Sequence, residues 1–325
     1  VPDASPGSIF NQVWKYTDEH YSFFEYKGID WNATRAEFEP RIQETMTEEE
    51  LFSVLADMLF VLRDGHVNLT SSFNRSRNWQ WYLDYPTNYD YSVLERNYFQ
   101  GEEQYVDGAF ILMDFKDTTE GDVGYSHYRS FTNTIRQKNM DYVLDKFKNH
   151  KGLIIDIRNN GGGNLNNVYA LANQLVEEKT AFAEERIKTG PGHNDFGPLN
   201  TLYLEPPEDS VTFTRPIVVL TNRFCYSGAN YFTTAVKNLP HVTVLGDTTG
   251  GGGGIPSYTE LTNGWGLRVS TTQLFILDNP DTGRSLADRN VEHGVDPDIF
   301  VEMDLTDLAA GIDTLLETAL ALLRA

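Results

Sequence analysis

Cysteine is almost missing from the chain: Cys225 is the only one in 325 residues. A disulfide framework within one chain and a cysteine-based zinc site are both excluded. No apolar run approaches the roughly 18 residues that a membrane-crossing helix needs. Basic residues are scarce, with 26 Lys and Arg against 47 Asp and Glu and a formal net charge of -21. Such a surface repels nucleic acid and acidic lipid headgroups, so neither is an expected partner. The acids are scattered rather than gathered in a tail, which reads as solubility. The first seven residues are polar and turn-rich rather than signal-like. They are expected to be the remainder left once a leader or lipid-anchor segment is removed.

What is present suits a folded α/β protein. Hydrophobic residues make up 40% and aromatics 13%, enough for a large core. The first third reads as helical, from Ile9 to about Phe24 and again from Thr47. Thr47 and Glu50 form a capping-box pattern, and Leu51, Val54, Leu55, Met58, Leu59 and Leu62 recur on one face. Gly65 is the expected stop, with His66 at a helix-to-strand corner. Residues 71–103 read as irregular structure and short strands. The texture then becomes strand–helix–strand. Residues 153–157, 216–220 and 242–246 are apolar runs of buried strands, which argues for βαβ units and a partly parallel sheet. Asn263-Gly264 marks a hairpin, and residues 305–323 read as one amphipathic helix. We expect an N-terminal helical subdomain over 1–72 and an α/β domain over 73–325, with 73–125 as an irregular and β connecting part.

Four segments hold residues able to do chemistry. Ser227 lies where a buried strand hands over to a helix. A serine there is an N-cap by default, but the same place offers backbone N–H groups to a developing oxyanion, Gly228 first. The loop Asn159-Asn160-Gly161-Gly162-Gly163-Asn164 is either a permissive turn or a second source of such donors. It is not a phosphate loop, because the Lys-Ser/Thr ending is missing. His66 alone reads as a structural corner residue, and Glu292 as a loop carboxylate. The segment around Ser227 is not Gly-x-Ser-x-Gly, which disfavours an α/β-hydrolase.

Taken together and in order, these segments are Leu62-Arg-Asp-Gly-His66, Ile155-Asp-Ile-Arg-Asn-Asn-Gly-Gly-Gly163, Val219-Leu-Thr-Asn-Arg-Phe-Cys-Tyr-Ser-Gly-Ala229 with Gly246-Asp-Thr-Thr-Gly250, and Glu292-His-Gly-Val-Asp-Pro-Asp298. The chain thereby resembles the serine peptidase family of C-terminal processing (tail-specific) peptidases, the tricorn core protease and interphotoreceptor retinoid-binding protein. The resemblance runs from about Phe10 to the end. It implies a ClpP/crotonase-like α/β fold (α+β in detail) with a helical N-terminal part, and a peptide or protein substrate. It also implies Ser227 as nucleophile, His66 as general base, Glu292 as distal carboxylate, and Gly162 and Gly228 at the oxyanion hole. No metal or organic cofactor is implied. A periplasmic, cell-envelope or secreted location is the matching expectation.

The chain departs from the family pattern at four places. Gly252 stands where the tail-specific branch has its basic lysine, which moves the base role to His66. Gly65 replaces the serine that links histidine to glutamate in the tricorn branch. Gly228 and Asn230 replace acidic residues. No nearby ammonium is therefore expected to activate Ser227, and activity should follow an ordinary imidazole near pH 6.5. The alternative is a non-hydrolytic protein of the same fold that binds a hydrophobic ligand or peptide. An acyl-CoA enzyme is disfavoured by the acidic surface.

Overall fold

The computed structural model describes residues 3–77, 80–278 and 283–325. Among these, thirteen strands form three sheets. In chain order they begin with β1 (Asn68–Thr70), β2 (Gln104–Val106), β3 (Phe110–Phe115), β4 (Val123–Tyr128), β5 (Gly152–Asp156), β6 (Thr180–Ile187) and β7 (Asn200–Leu204). The others are β8 (Ile217–Thr221), β9 (Val242–Gly246), β10 (Pro256–Glu260), β11 (Gly266–Ser270), β12 (Thr272–Ile276) and β13 (Ile299–Phe300). The main sheet runs β13-β9-β8-β5-β4-β3-β2. It is parallel from β13 through β4 and antiparallel over β4-β3-β2. The smaller sheets are β1-β11-β10 and β12-β6-β7, both antiparallel.

The two-residue period of a strand sorts the main sheet's side chains into two cores. Leu153, Ile155, Ile217 and Val219 join one core with the helices Gln137–Phe147, Leu165–Ala172 and Gly228–Val236. Ile154, Val218 and Leu220 alternate with them and pack on the opposite face. The helix Thr314–Arg324 covers that face with Leu315, Leu316, Ala319, Leu320 and Leu323. Burial on both faces explains why β5 and β8 read as continuous apolar runs. A third core holds the N-terminal helices, Leu69 of β1, and Leu261, Trp265, Leu267 and Val269 of the β10–β11 hairpin. The hairpin, distant in sequence, thus completes the helical body.

The predicted strands at 153–157, 216–220 and 242–246 are present as β5, β8 and β9, and the hairpin turns at Gly264 with φ +81°. The capping box is present too: Thr47 caps the helix Glu48–Phe60, with Glu50 closing back on the Thr47 N–H. Other expectations need correction. That helix stops at Phe60, and Arg63, not Gly65, takes the left-handed conformation with φ 45°. The first helix ends at His20, and a separate turn follows over Phe24–Lys27. Residues 81–99 hold short helical turns rather than strands. The C-terminal helix is two, Leu305–Ala309 and Thr314–Arg324. Gly311 breaks it with φ 77°, and Asp313 caps the second part by accepting the Leu316 N–H.

Candidate active site

β8 ends at Thr221, and the next five residues are pinned from both sides. The Asn222 side chain accepts the Asn159 N–H and donates to Asn159 Oδ1 and Thr87 O. The buried Cys225 thiol lies 3.0 Å from Ile157 O. Tyr226 N–H donates to Asn160 O, and Ser227 N–H to Gly251 O. The chain is thereby clamped between the glycine loop after β5 and the glycine run after β9. Ser227 is held at φ 55°, ψ −116°, a conformation that costs a non-glycine residue about 1–3 kcal/mol. Its hydroxyl makes no capping bond to the following helix. The N-cap reading of this serine therefore does not describe it.

The hydroxyl meets His66 instead: His66 Nε2 lies 2.8 Å from Ser227 Oγ across 161 positions of sequence. The structure thus unites the helical body, which carries His66, with the sheet body, which carries Ser227. His66 is 5% exposed. Its backbone N–H donates to Asp64 Oδ1 at 2.7 Å, and Arg268 Nε donates to its carbonyl. Nδ1 is buried and makes no hydrogen bond to a described residue. The Gly254 backbone stands close enough to favour the protonated ring without meeting hydrogen-bond geometry. Burial dominates and pushes the imidazole down to about 4, with Asp64 opposing the shift. The ordinary value expected from sequence is displaced because the ring is desolvated.

Glu292 is buried near this corner, but its oxygens are engaged elsewhere. Oε1 accepts Lys27 Nζ at 2.7 Å and Oε2 accepts the Gly253 N–H at 3.0 Å. It makes no hydrogen bond to His66. Lys27 is a residue that sequence reasoning missed, because a lysine in an aromatic segment carries no signal. Its side chain is 6% exposed, 3.8 Å from Asp64 Oδ2, and donates to the carbonyls of Leu62 and Arg63. This ammonium is bound to the two acids and two carbonyls, not to Ser227. Burial would lower Lys27, but Glu292 and Asp64 overcome that and hold it charged. Burial raises Glu292 to about 7 against the pull of Lys27, and the like charge of Asp64 adds to the rise.

Tyr226 accounts for two of the four departures. Its ring packs against His66 at 5.0 Å and Trp81 at 4.5 Å. A Cβ on Gly252 would lie 2.5 Å from Tyr226 Cζ, and one on Gly65 2.9 Å from Tyr226 Oη. The ring fills the space that a lysine at 252 or a serine at 65 would enter. A side chain at 228 would crowd Gly163 N at 3.0 Å. Asn230 donates to Val291 O and accepts the Thr249 hydroxyl. A carboxylate there could not make the first of these bonds.

Gly228 begins its helix, so its N–H has no intrahelical acceptor. Gly162 N–H is donated to Asn160 Oδ1 at 2.9 Å. Gly163 is the residue of that loop beside Ser227 in a cavity of about 100 Å³, lined also by His66, Leu165, Tyr231 and Ile255. Among the described residues nothing accepts the Gly163 N–H. No group of three or more His, Cys, Asp or Glu among the described residues is arranged to hold a metal ion.

The profile of peptidase family S41 matches residues 122–301, and that of the Tricorn protease C1 domain matches residues 2–60. A crystal structure from Parabacteroides merdae ATCC 43184, assigned as a peptidase, is 38% identical with a TM-score of 0.88. That match covers 99% of this chain and 98% of the other. Tricorn protease homolog 1 of Streptomyces coelicolor is 34% identical over 173 residues, which are 53% of this chain and 14% of that protein. The carboxy-terminal processing protease CtpA of Bacillus subtilis is 23% identical over 166 residues, 50% of this chain and 33% of that one. The chain thus spans a third or less of the length of these two curated relatives. With a family profile spanning more than half of its residues, the chain belongs to peptidase family S41.

Proposed function

We propose that the chain is a serine peptidase that hydrolyses peptide bonds through an acyl-enzyme on Ser227. The observation that carries this reading is the 2.8 Å contact between His66 Nε2 and a serine hydroxyl that does not cap its helix. A hydroxyl is a weak nucleophile at neutral pH, and a neutral imidazole can take its proton during attack. Ser227 Oγ bonds to the scissile carbonyl carbon while its proton passes to His66 Nε2. The C–N bond then breaks and the leaving amine takes that proton. Water repeats the sequence on the ester, freeing the acid and Ser227.

The N–H groups of Gly228 and Gly163 are the oxyanion donors in this reading. Gly163 takes the place expected of Gly162, whose N–H is occupied. Each such donor is worth roughly 3–4 kcal/mol to the transition state. Depressing the His66 pKa keeps the base neutral over most of the pH range, at some cost in basicity. Glu292 acts at one remove, through Lys27 and the Gly253 N–H, rather than on the imidazole. The apolar side chains of Leu165, Tyr231 and Ile255 suit a small aliphatic side chain next to the cleaved bond.

Ser227→Ala is the direct test. Hydrolysis of an unstructured peptide and labelling by a fluorophosphonate should both vanish. Stability should change by only about 1 kcal/mol, the worth of one hydrogen bond. A wild-type protein that neither labels nor cleaves across a broad peptide library would instead make this a binding protein on a peptidase fold.

A further inference from the structure

β10 is an edge strand, paired with β11 on one side only. Leu261 N–H donates to Trp265 O at 2.7 Å, and Thr271 N–H to Ile255 O at 2.9 Å. Both belong to the hydrogen-bonded pairs of the antiparallel ladder, which recur at every second residue. Ile255, Ser257, Thr259 and Leu261 therefore turn their backbone groups toward β11. Pro256, Tyr258 and Glu260 turn theirs outward. No described residue bonds to these outward groups, and Tyr258 is 65% exposed. The strand leaves directly from the cavity, whose wall includes Gly254, Ile255 and Pro256 beside Ser227 and His66.

We infer that the free edge of β10 is the substrate-docking strand: an extended polypeptide pairs with the outward backbone groups of Pro256, Tyr258 and Glu260. The occupant rests on the peptidase reading, and continuity with the Ser227 cavity selects it. Recognition of this kind takes its affinity from main-chain hydrogen bonds and tolerates varied side chains. Proline at 258 deletes only an outward N–H and is compatible with an edge position. Tyr258→Ala deletes the ring and keeps the N–H.

The test measures binding of a fluorescein-labelled ten-residue unstructured peptide to protein carrying Ser227→Ala, which does not depend on turnover. Y258P should weaken binding by about threefold to tenfold relative to Y258A, the worth of one backbone hydrogen bond. Glu260→Pro, at the next outward N–H, gives a second reading if Y258P does not fold. Equal affinity of proline and alanine variants overturns the inference. So does a change in sedimentation mass in place of peptide affinity, which would assign the edge to a second copy of the chain. Failure of the peptidase reading is seen separately, as peptide binding without cleavage when Ser227 is present.

A different observation assigns a role to Lys27. One buried ammonium joins Glu292, which holds the Gly253 N–H, to Asp64, which holds the His66 N–H. It also donates to the carbonyls just before that histidine. We propose that Lys27 is a positioning residue that sets the approach of His66 to Ser227 by tying the two bodies together. Besides the two acids, the rings of Tyr21 and Phe23 face it. His66, His293, Tyr26, Tyr226 and Arg268 share the same electrostatic surroundings.

Lys27→Met alone strands two buried carboxylates, so K27M/E292Q is measured beside E292Q. With a single-residue ester as substrate, kcat should fall on the order of tenfold to a hundredfold below E292Q, as misplacement of a reacting group does. KM should move less. The acid limb of kcat/KM should shift to higher pH, because a cation that disfavours protonated His66 is gone. Lys27→Arg should retain most of the activity. A double variant with the kcat and acid limb of E292Q overturns the assignment.

Discussion

Two buried clusters in this protein share one formula, a single cation between two carboxylates, and differ in everything else. Under the glycine loop, Arg158 is flanked by Asp156 and Asp313, all three without solvent exposure. Arg158 Nε reaches both Asp156 oxygens at 3.0 and 3.1 Å, Nη2 adds a third bond at 2.7 Å, and Nη1 meets Asp313 Oδ1 and Asn88 O. A rigid fork thus serves two acids at once. Burial alone would raise Asp156, but Arg158 outweighs it and holds the carboxyl below its usual range. In the second cluster Lys27 offers a point charge. It sits 2.7 Å from Glu292 and 3.8 Å from Asp64. Asp64 stays low because Lys27 and His66 overcome its burial, while Glu292 is pushed up to about 7. The arginine cluster is a fixed strut between the glycine loop and the C-terminal helix. The lysine cluster holds a group that exchanges a proton near neutrality beside the candidate base.

The comparison breaks most visibly at Arg158. Arg158→Met leaves Asp156 and Asp313 buried without compensation and should cost about 3–5 kcal/mol in urea unfolding. Arg158→Lys should recover little, because an ammonium cannot bond both acids bidentately. A methionine variant of wild-type stability would show that the strut carries no load.

Next in size is the corner above the lysine cluster. Gly252→Ala puts a Cβ 2.5 Å from the Tyr226 ring at a residue with φ +77°. Strain and ring displacement should together cost about 1–3 kcal/mol and lower turnover. An alanine enzyme with unaltered melting and activity would remove Tyr226 as the reason for the missing lysine.

The two clusters should also respond to pH with opposite sign. Between about 4.5 and about 7 the folded state keeps a proton on Glu292 that the unfolded chain has released. This contribution is fully present below the lower value and is lost as pH rises through the upper one. Asp156, depressed on folding, contributes above its ordinary value and loses that contribution as pH falls. Relative to wild type, Glu292→Gln should therefore gain stability from pH 5 to pH 8. Asp156→Asn should lose least in acid. Equal slopes in denaturant melts across this range would erase the distinction.

The mildest effect is kinetic. With His66 at about 4, the acid limb of kcat/KM should lie well below that of a free imidazole, so little activity is lost between pH 7 and pH 6. A limb centred near 6.5 would mean that the ring is solvated in the working enzyme.

Local order was legible in the chain itself. The period of Leu51 to Leu62, the capping box at Thr47, the apolar runs of β5, β8 and β9 and the turn at Gly264 depend on neighbours within a few residues. So does the placing of Ser227 where a strand meets a helix. The resemblance of four separated segments then brought His66 and Ser227 into one hypothesis. Other features depended on residues far apart in sequence. Lys27 reads as an ordinary surface lysine until Glu292, 265 positions away, closes on it. Gly162 and Gly163 are interchangeable in sequence, and only the side chain of Asn160 decides which N–H is taken. The His66 pKa follows from the water that packing removes, and Gly65 and Gly252 are required by one ring at position 226. Sequence by itself determined the buried strands, the capped helix and the chemical types at the site, because propensity and periodicity act over short range. Tertiary structure decided charge state, donor choice and orientation, because desolvation and close contact are set by groups that meet only when the two bodies pack together.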